Sequence, residues 1–441
     1  MAKYQQYSEY KDSGVEWLGE VPSHWGLSSL KRCVDGCTNG IWGSEPEEGS
    51  NNTIVLRVAD FDRNKLEVSE EKLTLRNISP KESESRLLKK GDLLIEKSGG
   101  GDKTLVGCVV VFDKDFRAVT SNFVAKMTPK IGYESRFLKY AFSLLYDGRV
   151  NYASIKQTTG IQNLDSDAYL MEKFVFPEKE EQTQIAKFLD HETAQIDTLI
   201  EKQQTLIQLL KEKRQAGISH AVTKGLNPDS PMKDSGVEWL GEVPEHWEVK
   251  RVRHAFDIDN NLRTPINRQA RSEMEGEFRY YGPTGVLNLI NRYNVEGQYF
   301  LLGEDGDHFL KFEEKPMTIY VEGKFNVNNH AHLIKGKGAC STKWGCLYFE
   351  HKDLFPWLIK QGVGRYKLQK TVLLDIPIAI PPLDEQEFIL NAVNKKKNNF
   401  SEIERRTEAL INLLKERRTA LISAAVTGKI DVRGWQVPEA S

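Results

Sequence analysis

The segment SGGGDKT at 98–104 is the part of the chain that most resembles a nucleotide-binding loop. Glycine-rich loops bind phosphate through their backbone amides, and a lysine then neutralises the charge. Here the spacing G-x-x-x-x-G-K-[ST] is missing, and Asp102 would face the phosphates. We therefore predict a glycine-rich turn between two strands, whose amides, together with Lys97 and Lys103, approach a DNA backbone.

A second group, His330, His332, Cys340 and Cys346, contains the residue types that bind zinc. Its spacing matches no standard zinc pattern, so we predict no metal site. The sequence leaves two other interpretations open for NNHAH at 328–332. It is a turn whose amide and imidazole groups hydrogen-bond locally, or its two asparagines and first histidine contact base edges, since asparagine pairs with adenine in the major groove.

The catalytic motifs of several enzyme classes are missing from the sequence. It contains no G-x-S-x-G elbow, no cysteine–histidine nucleophile pair, no G-x-G loop for S-adenosylmethionine, no Asn-Pro-Pro-aromatic motif and no PD…ExK nuclease triad. For a chain of 441 residues this absence is informative. We predict a protein that reads a ligand without transforming it and has no catalytic residue.

Two nearly identical arms indicate how the chain is organised. KDSGVEWLGEVPSHW (11–25) and KDSGVEWLGEVPEHW (233–247) differ at one position, and LLKEKRQAGISHAVT (209–223) aligns with LLKERRTALISAAVT (413–427). Each arm contains glycine, proline and two tryptophans, which predicts an extended or turned strap whose tryptophans pack on a neighbouring element. The duplication predicts that the two arms dock against equivalent surfaces.

The inserts between the repeated segments, 26–176 and 248–380, show no comparable likeness. Both are rich in β-branched runs bounded by turn residues, which predicts strands. A helix is predicted at 136–147, a strand at 343–350 and a short helix at 355–362. A repeated frame that holds two dissimilar α+β inserts predicts two different surfaces at a fixed separation.

The composition is that of a globular chain of two or three domains, with 39% hydrophobic and 28% charged residues. No stretch of 18 apolar residues and no apolar leader occurs, and five unpatterned cysteines are typical of reduced thiols, so we expect a cytoplasmic protein. The net charge of −2 does not exclude nucleic-acid binding, because a local basic face decides that. Residues 251–292 contain seven arginines against five acids, which is either such a face or a mixed surface.

The segments 181–222 and 385–426 have apolar residues at helical spacing, and an offset of 204 relates them. The apolar residues form a seam along each segment. One position of the seam is polar in both copies, Gln203 in the first and Thr407 in the second, and a single polar seam residue can set the register. We predict two helices of about 60 Å that pack antiparallel as a coiled-coil spacer; the alternative is two separate core helices. The predicted seam consists of Ile185, Leu189, Ile196, Leu199, Leu206, Leu210, Ile389, Val393, Phe400, Ile403, Leu410 and Leu414.

The predicted fold class is therefore α+β, with two α/β recognition domains separated by two long antiparallel helices and related by a pseudo-two-fold internal repeat. The predicted order is an N-terminal arm (1–25), a first recognition domain (26–176), a first spacer helix (177–223), a linker with the repeated arm (224–247), a second recognition domain (248–380), a second spacer helix (381–430) and a C-terminal tail (431–441).

The ordered motifs resemble the specificity subunit of type I restriction–modification systems over essentially the whole chain. In that family a recognition domain is followed by a proline-rich strand end, a Glu-Gln pair and a long helix, and this whole pattern occurs twice along the chain. Here this pattern is FPEKEEQTQIAKFLD (176–190) and PPLDEQEFILNAV (381–393). YYGPTGVLN (280–288), VEGKFNVNNHAHLI (321–334) and GDLLIEKSGGG (91–101) are similar to motifs of its recognition domains. The first junction departs from the family by having PEK where the second has PPL.

The resemblance implies a DNA-binding subunit that recognises a bipartite target, one half-site per recognition domain. It also implies that the paired helices set the gap between the half-sites and hold two methyltransferase subunits, which restriction subunits then join. S-adenosylmethionine would belong to the methyltransferase partner, and ATP and Mg²⁺ to the restriction partner. A standalone two-headed DNA-binding regulator and a scaffold that joins two proteins remain alternatives.

For the side chains that contact DNA, we expect lysine and arginine at phosphates and guanine, and glutamine and asparagine at adenine. The predicted DNA-binding residues of the first insert are Lys97, Ser98, Lys103, Thr104, Lys156, Gln157, Thr158 and Gln162. Those of the second insert are Tyr281, Thr284, Arg292, Lys324, Asn326, Asn328, Asn329, Arg365, Tyr366 and Lys367.

Overall fold

The computed structural model describes residues 4–48, 52–100, 104–158, 160–362 and 365–438. The chain divides into two compact units, which we call unit 1 (1–201 with 411–441) and unit 2 (202–410). Each unit contains one arm, one insert, the beginning of one long helix and the end of the other. None of the helices in the described part of the chain has the length and apolar content of a membrane span.

Unit 1 is built from short strands and one central helix. Its strands are β1 (Tyr10–Asp12), β2 (Glu20–Pro22), β3 (Gly26–Ser29), β4 (Thr38–Asn39), β5 (Asn52–Leu56), β6 (Phe61–Asp62), β7 (Glu67–Val68), β8 (Thr74–Asn77), β9 (Leu93–Glu96), β10 (Ser98–Gly99), β11 (Val109–Val111), β12 (Ala118–Thr120), β13 (Val124–Met127), β14 (Ile155–Thr158), β15 (Ile161–Leu164) and β16 (Lys173–Phe176). Its helices are α1 (Pro80–Ser83), α2 (Ser135–Asp147), α3 (Ser166–Tyr169) and the first part of α4 (Lys179–Lys224).

The largest sheet of unit 1 has the order β4-β13-β9-β11-β7-β6, and two three-stranded sheets have the orders β12-β5-β8 and β10-β15-β14. The central strand β9 is buried along its whole length, as its apolar residues Leu93–Ile95 predict, and Glu96 at its end is buried as well. Helix α2 buries Phe137, Leu138 and Phe142 in the same core as the first turns of α4. The predicted helix at 136–147 is therefore confirmed.

Unit 2 repeats this plan with longer strands. Its strands are β17 (Met232–Asp234), β18 (Glu242–Pro244), β19 (Glu248–Arg251), β20 (Phe256–Ile258), β21 (Glu275–Gly282), β22 (Gly285–Ile290), β23 (Val295–Gly303), β24 (Asp305–Gly306), β25 (Thr318–Val327), β26 (Ala331–Gly336), β27 (Ile359–Lys360), β28 (Tyr366–Lys367) and β29 (Pro377–Ile380). Its helices are α5 (Val252–Ala255), α6 (Arg268–Ser272), α7 (Thr342–Phe349), α8 (Lys370–Asp375) and the first part of α9 (Leu383–Val426).

The main sheet of unit 2 has the order β20-β26-β23-β25-β21-β22, and a small sheet has the order β24-β28-β27. The predicted strand at 343–350 is wrong, because these residues form α7. Ser341 caps this helix by accepting a hydrogen bond from the backbone N–H of Trp344 at 3.1 Å, and the buried side chains follow at helical spacing. The predicted helix at 355–362 is also wrong, since one 3-10 turn is followed by β27.

The two long helices pack antiparallel within each unit. In unit 1 the Gln184 amide donates to the carbonyl of Val432, and Arg418 donates to the carboxylate of Asp197, so the pairing runs in opposite directions along the two helices. In unit 2, α4 residues Ile218, Ala221 and Val222 share a core with Ile389 and Val393 of α9. The predicted fold class is thus confirmed, and the alternative of two unrelated core helices is wrong. The domain boundaries remain predictions.

The seam of α4 follows the predicted positions only in part. Leu199 and Leu206 are 45% and 39% exposed, so their predicted place on the seam is wrong. The neighbouring Ile200 and Ile207 are partly buried instead. The seam residue that follows Ile196 is Ile200, four residues later, and not the predicted Leu199, three residues later. A spacing of four residues is closer to the 3.6 residues of one helical turn than a spacing of three. The predicted positions that lie on the seam are Ile185, Leu189 and Ile196, which are buried, and Gln203 and Leu210, which are partly buried.

The seam of α9 is shifted in the same way. Ile403 and Leu410 are 43% and 42% exposed, which contradicts the prediction, while Thr407 and Ile411 are buried. The Thr407 hydroxyl donates to the carbonyl of Ile403 at 2.8 Å, so this polar seam residue is satisfied inside its own helix. The predicted positions that lie on this seam are Ile389, Val393 and Leu414, which are buried, and Phe400, which is partly buried.

Candidate nucleic-acid interface

The arm of unit 1 attaches the insert to the first turn of α4 through one glutamate. Glu181 accepts hydrogen bonds from the Tyr7 hydroxyl at 2.7 Å and from Nε1 of Trp25 at 3.1 Å. The second carboxylate oxygen lies 2.9 Å from Nε2 of His24. Trp25 is fully buried, and its one polar atom, Nε1, donates to the neighbouring carboxylate instead of to water. Burial, followed by the Glu181 carboxylate, also raises the pKa of Tyr7.

The arm of unit 2 makes the same attachment to α9. Glu385 accepts from Nε1 of the buried Trp247 at 3.1 Å and lies 2.7 Å from Nε2 of His246. The prediction that the arms are straps docked on equivalent surfaces is therefore confirmed for these tryptophans. The other tryptophan of each arm has a different neighbour, because Trp17 stacks on Phe174 whereas Trp239 lies against Trp357 and Lys352.

The glutamine that follows each glutamate connects the helix start to the insert. Gln182 accepts from the backbone N–H of Glu134 at 2.9 Å and donates to the carbonyl of Pro177 at 2.8 Å. Gln386 accepts from the backbone N–H of Ser341 at 2.9 Å and donates to the carbonyl of Pro381 at 2.8 Å. Both glutamines are about 1% exposed. The Glu-Gln pair is thus a joint that fixes each insert on its long helix, and it is buried in unit 1 and partly exposed at Glu385 in unit 2.

A three-stranded sheet projects from the insert of unit 1 and contains most of the predicted DNA-binding residues of this insert. Strands β14 and β15 form a hairpin that pairs Lys156 with Asn163, and β10 pairs Ser98 with Asn163 on the other side of β15. The sheet is joined to β9 by a hydrogen bond from the N–H of Leu164 to the carbonyl of Lys97. Gly99 has a φ of +132°, which favours glycine over other residues.

Unit 2 has the same small sheet with the same connections. Strand β28 pairs with both β24 and β27, and Leu368 donates its N–H to the carbonyl of Glu304 as Leu164 does to Lys97. Gly306, with a φ of +136°, takes the place of Gly99. Two inserts that lack the near-identity of the arms therefore contain one backbone arrangement, built on β10-β15-β14 in unit 1 and β24-β28-β27 in unit 2.

The side chains on the two small sheets differ in chemistry. Exposed positions in unit 1 include Lys156 and Asn163, and the matching positions in unit 2 are Ile359 and Lys367. Lys156 is paired with Asp165 at 2.7 Å, and this exposed ion pair contributes little to stability. The same frame thus presents different donors, acceptors and charges at equivalent positions.

A partly buried ion pair supports the strand that leads into the small sheet of unit 1. Arg63 donates to Glu96 at 2.7 Å and to the hydroxyl of Tyr146 at 3.2 Å. Glu96 is about 1% exposed and immediately precedes Lys97 in the chain. Burial raises the pKa of Glu96 above its ordinary value, although Arg63 opposes the shift. This glutamate has no exposed surface to offer DNA and serves to hold the strand end in place.

A larger charged cluster supports the small sheet of unit 2. Glu304 accepts hydrogen bonds from Arg263 and, at 3.1 Å, from Lys367. Burial alone would raise the pKa of Glu304, but the bonds from Arg263 and Lys367 and the nearby His332 hold it below its ordinary value. His332 itself is fully buried, and that burial lowers its pKa.

The histidine segment at 328–332 is a hydrogen-bonded turn, as one of the two predictions states. The Asn328 side chain accepts from the N–H of His330 at 2.9 Å, and the His330 ring lies 2.8 Å from Asp305. The His332 ring bonds the carbonyl of Leu368 at 2.8 Å. Across the ranges that the structure describes, no group of three or more histidine, cysteine or acidic residues is arranged to hold a metal ion.

Four of the predicted DNA-binding residues lie in the interior of the inserts. The Gln162 side chain accepts from the N–H of Val106 at 3.2 Å and thereby supports the segment that leads into β11. The Asn326 amide donates to the carbonyl of Arg292. These side chains have less than a tenth of their surface exposed, so the structure places them where they support loops rather than where DNA could reach them: Gln162, Tyr281, Asn326 and Asn328.

The accessible predicted residues fall into separate groups, and their contact with DNA stays a prediction. Lys103 lies outside the described residues, and Thr158 ends β14. On or beside the small sheets lie Lys97, Ser98, Thr104, Lys156, Gln157, Arg365, Tyr366 and Lys367. Around the hairpin β21–β22 and strand β25 of unit 2, away from its small sheet in the strand order, lie Thr284, Arg292 and Lys324. Asn329 lies in the turn after β25, next to His330, whose ring contacts Asp305 of the small sheet.

The structure adds three exposed side chains of the small sheets that sequence reasoning missed. Asn163 accepts a hydrogen bond from the Ser98 hydroxyl at 2.6 Å, and Lys360 and Gln361 lie at the corresponding hairpin of unit 2. The alternation in IQNL at 161–164, exposed then buried, is the signal that could have found Asn163. No comparable signal marks the two residues of unit 2, because β27 has only two residues.

Comparisons with known proteins identify relatives of the whole arrangement. A family model described as the type I restriction modification DNA specificity domain matches the chain twice, at residues 51–209 and 244–413, which is more than half of its length. The chain is 31% identical over 163 residues to the putative type I restriction enzyme specificity subunit S.HindORF215P of Haemophilus influenzae. It is 25% identical over 304 residues to the type I restriction enzyme MjaVIII specificity subunit of Methanocaldococcus jannaschii.

These alignments are partial. The first covers 37% of this chain and 38% of the relative, and the second covers 62% and 66%. The chain therefore aligns with less than two thirds of the length of either relative.

Solved structures resemble the chain over nearly all of its length. A chain from a study titled "Structural basis underlying complex assembly and conformational transition of the type I R-M system" superposes with a TM-score of 0.70, at 12% identity, covering 92% of this chain and 98% of that one. The HsdS subunit from Thermoanaerobacter tengcongensis superposes with a TM-score of 0.53, also at 12% identity, covering 93% and 98%. At this identity the likeness concerns the fold alone.

Proposed function

Because the chain belongs to the family of type I restriction–modification DNA specificity proteins, we propose that it recognises a bipartite DNA target, with one half-site read by each unit. The observation that carries the proposal is the pair of small sheets, which share one backbone arrangement and differ in their exposed side chains. Base pairs present distinct patterns of donors and acceptors in the major groove. One frame with two sets of side chains is therefore suited to reading two different sequences.

Within this proposal the exposed side chains have different roles. Asn163 and Gln157 of unit 1 carry amides, which suit adenine, whereas Arg365 and Lys360 of unit 2 are cationic and suit guanine or phosphate. The ion pairs beside the sheets, including that of Glu96, hold the strand ends in place. The residues at the β21–β22 hairpin are secondary candidates, because they lie outside the arrangement that the two units share.

We further propose that the chain works without catalytic groups of its own, in the cytoplasm, as one subunit of a larger complex. Two methyltransferase subunits and the restriction subunits are its proposed protein partners. S-adenosylmethionine would then be bound by the methyltransferase, and ATP and Mg²⁺ by the restriction subunit. The contribution of this chain is to select the sequence and, through its long helices, to set the gap between the half-sites.

The test is the methylation motif of cells that express the chain together with its methyltransferase. We expect a two-part motif, and we expect Asn163→Ala to relax one position of one half while Arg365→Ala relaxes one position of the other half. Both side chains are exposed, so the substitutions should leave folding intact. Lys187→Ala, on the exposed side of α4, is the matched control and should leave the motif unchanged.

Three results would contradict the proposal. A one-part motif would exclude bipartite recognition, and a motif unaffected by both substitutions would exclude the small sheets as the reading surface. Relaxation of the same half by both substitutions would exclude the assignment of one half to each unit.

A further inference from the structure

In unit 1 the ends of the chain cover one face of α4. Phe188 is fully buried, with the ring of Tyr4 on it at a centroid distance of 5.2 Å and the ring of Trp435 at 5.3 Å. The Tyr4 hydroxyl donates to Glu192 at 3.1 Å, and Gln184 donates to the carbonyl of Val432 at 3.2 Å. Two aromatic side chains from extended segments, together with polar bonds, therefore complete this face.

In unit 2 the equivalent face of α9 has no such cover among the residues that the structure describes. The offset of 204 that relates the two helices places Phe388 at the position of Gln184, Ala392 at that of Phe188 and Lys396 at that of Glu192. Phe388 is 64% exposed, although a phenylalanine in this environment would gain stability from burial. The linker of unit 2 supplies neither the tyrosine nor the tryptophan that the chain ends supply in unit 1.

Beside this bare face lies a groove of about 480 Å³ between α4 and α9 within unit 2. Ala216, Gly217, Ala221 and Phe400 form part of its apolar lining. Gly217 takes the position that Leu421 fills in unit 1, and a Cβ atom added at Gly217 would have no neighbouring atom within 4 Å outside its own helix backbone. The groove is thus open where its counterpart in unit 1 is filled.

The rim of the groove is positively charged. Four cationic side chains line it, and no carboxylate does so among the described residues. Two of these cations have partners, since Arg214 lies 3.6 Å from Glu404 and Lys397 donates to Glu350. The other two, Lys213 and Lys396, form no ion pair with any residue that the structure describes. An occupant with carboxylates would neutralise them.

We propose that this face, from Phe388 to Ile403 of α9 with the adjoining groove, docks a segment of a protein partner that carries acidic residues and one large aromatic side chain. The aromatic ring would fill the groove as Leu421 and Trp435 complete the corresponding region of unit 1, and the acidic residues would pair with the free lysines. Phe388 and Lys396 lie eight residues apart on one side of the helix, so the segment would extend over about 12 Å.

The chemistry of the face favours a protein segment over a nucleic-acid backbone. Phosphates would be attracted to the lysines, but they would leave the exposed ring of Phe388 and the apolar groove uncovered. A segment with an aromatic anchor satisfies both features at once, as the anchors of protein interfaces do. The proposal is independent of which bases the small sheets read.

The test uses the full chain and a labelled synthetic peptide with the sequence of residues 430–438, in which Arg433→Glu makes the peptide acidic. We expect saturable binding by fluorescence anisotropy. Two substitutions that copy unit 1 into unit 2, Gly217→Leu and Lys396→Glu, should each weaken it by about tenfold or more, the loss of one interface anchor. Trp435→Ala in the peptide should have a similar effect, and Lys187→Glu in unit 1 is the matched control.

Absence of saturable binding would overturn the proposal, and so would binding that neither substitution in unit 2 affects. A random duplex that displaces the peptide, and whose own binding is lost with Lys396→Glu but retained with Gly217→Leu, would assign the face to DNA and also overturn it. Because Gly217→Leu changes a helical position, its thermal unfolding is compared with that of the parent chain. Phe388→Gln, which copies Gln184, provides a second variant that leaves the groove itself unaltered.

Discussion

Replacement of Glu181 by alanine should destabilise unit 1 more than replacement of Glu385 by alanine destabilises unit 2. The Glu181 side chain is 9% exposed and is surrounded by three polar groups, whereas the Glu385 side chain is 26% exposed and has two. Alanine at position 181 leaves the Tyr7 hydroxyl and Trp25 Nε1 buried without an acceptor. Each buried polar group left unpaired costs about 1–3 kcal/mol.

The expected loss is therefore about 3–5 kcal/mol for Glu181→Ala, summing the two unpaired donors and the lost packing. For Glu385→Ala it is about 1–2 kcal/mol, because water can reach the partners that remain. Glu181→Gln should fall between the parent and the alanine variant, since it keeps one acceptor oxygen but loses the charge.

Urea unfolding followed by tryptophan fluorescence measures these differences, because Trp25 and Trp247 report on the two arms. Hydrogen exchange of the arm amides then assigns each transition to its unit. The reasoning is refuted if the two alanine variants lose equal stability, or if Glu181→Ala loses less than about 1 kcal/mol. Equal losses would mean that burial of the joint does not determine its strength.

Four further predictions concern other parts of the molecule. Gly217→Ala should raise the unfolding free energy by about 1 kcal/mol, because the glycine lies inside a helix with open space around it, and urea unfolding checks this. Arg63→Ala should remove about 3–5 kcal/mol by leaving Glu96 buried without its partner. Burial already raises the pKa of Glu96 in the folded state, so the contribution of this group to the unfolding free energy is present at low pH and is lost as the pH rises through that pKa. The unfolding free energy, measured from about pH 4 to about pH 8, should therefore fall more steeply in this variant than in the parent. Lys360→Ala should weaken binding to all duplexes alike and flatten the salt dependence by about one counterion if it contacts a phosphate, which a titration against salt measures. Deletion of four residues from each long helix, about one turn, should change the gap between half-sites and leave both half-sites unaltered; a methylation motif with the original gap would contradict this.

The duplicated features of the molecule could be read from the sequence, because repetition makes weak signals visible. The arms, the Glu-Gln pairs and the long helices each occur twice at a constant offset, and each prediction about them concerned local chemistry. The joint illustrates this: Glu181 and Gln182 lie five and six residues after the end of β16, and Glu385 and Gln386 lie at the same distance from the end of β29. Local spacing was enough to place them at the start of a helix.

The errors arose where the tertiary environment outweighs local preference. The segment KWGCLYFE is rich in residues that favour strands, yet the Ser341 cap and the burial of one side make it a helix. Leu199 and Leu206 are as apolar as Ile200 and Ile207, so composition does not distinguish which pair faces the seam. The surface of the other long helix decides between them, because the residue that faces it lies four residues after Ile196 and not three.

The DNA-binding residues show the same limit. Gln162 and Asn163 are adjacent and both suit base contacts, but the pleat of β15 sends the first inward to the glycine-rich turn and the second outward. The two small sheets are similar in hydrogen bonding, but the inserts that contain them lack the letter-by-letter likeness of the two arms.

The sequence by itself determined the repeated frame, which consists of an arm, a Glu-Gln joint and a long helix, each present twice. The residues of this frame act on their near neighbours. The tertiary structure alone decided that the two unlike inserts contain one common sheet, and which side chains that sheet exposes. The physical reason is that backbone hydrogen bonds form with almost any side chain, whereas exposure depends on what lies above each residue in the fold.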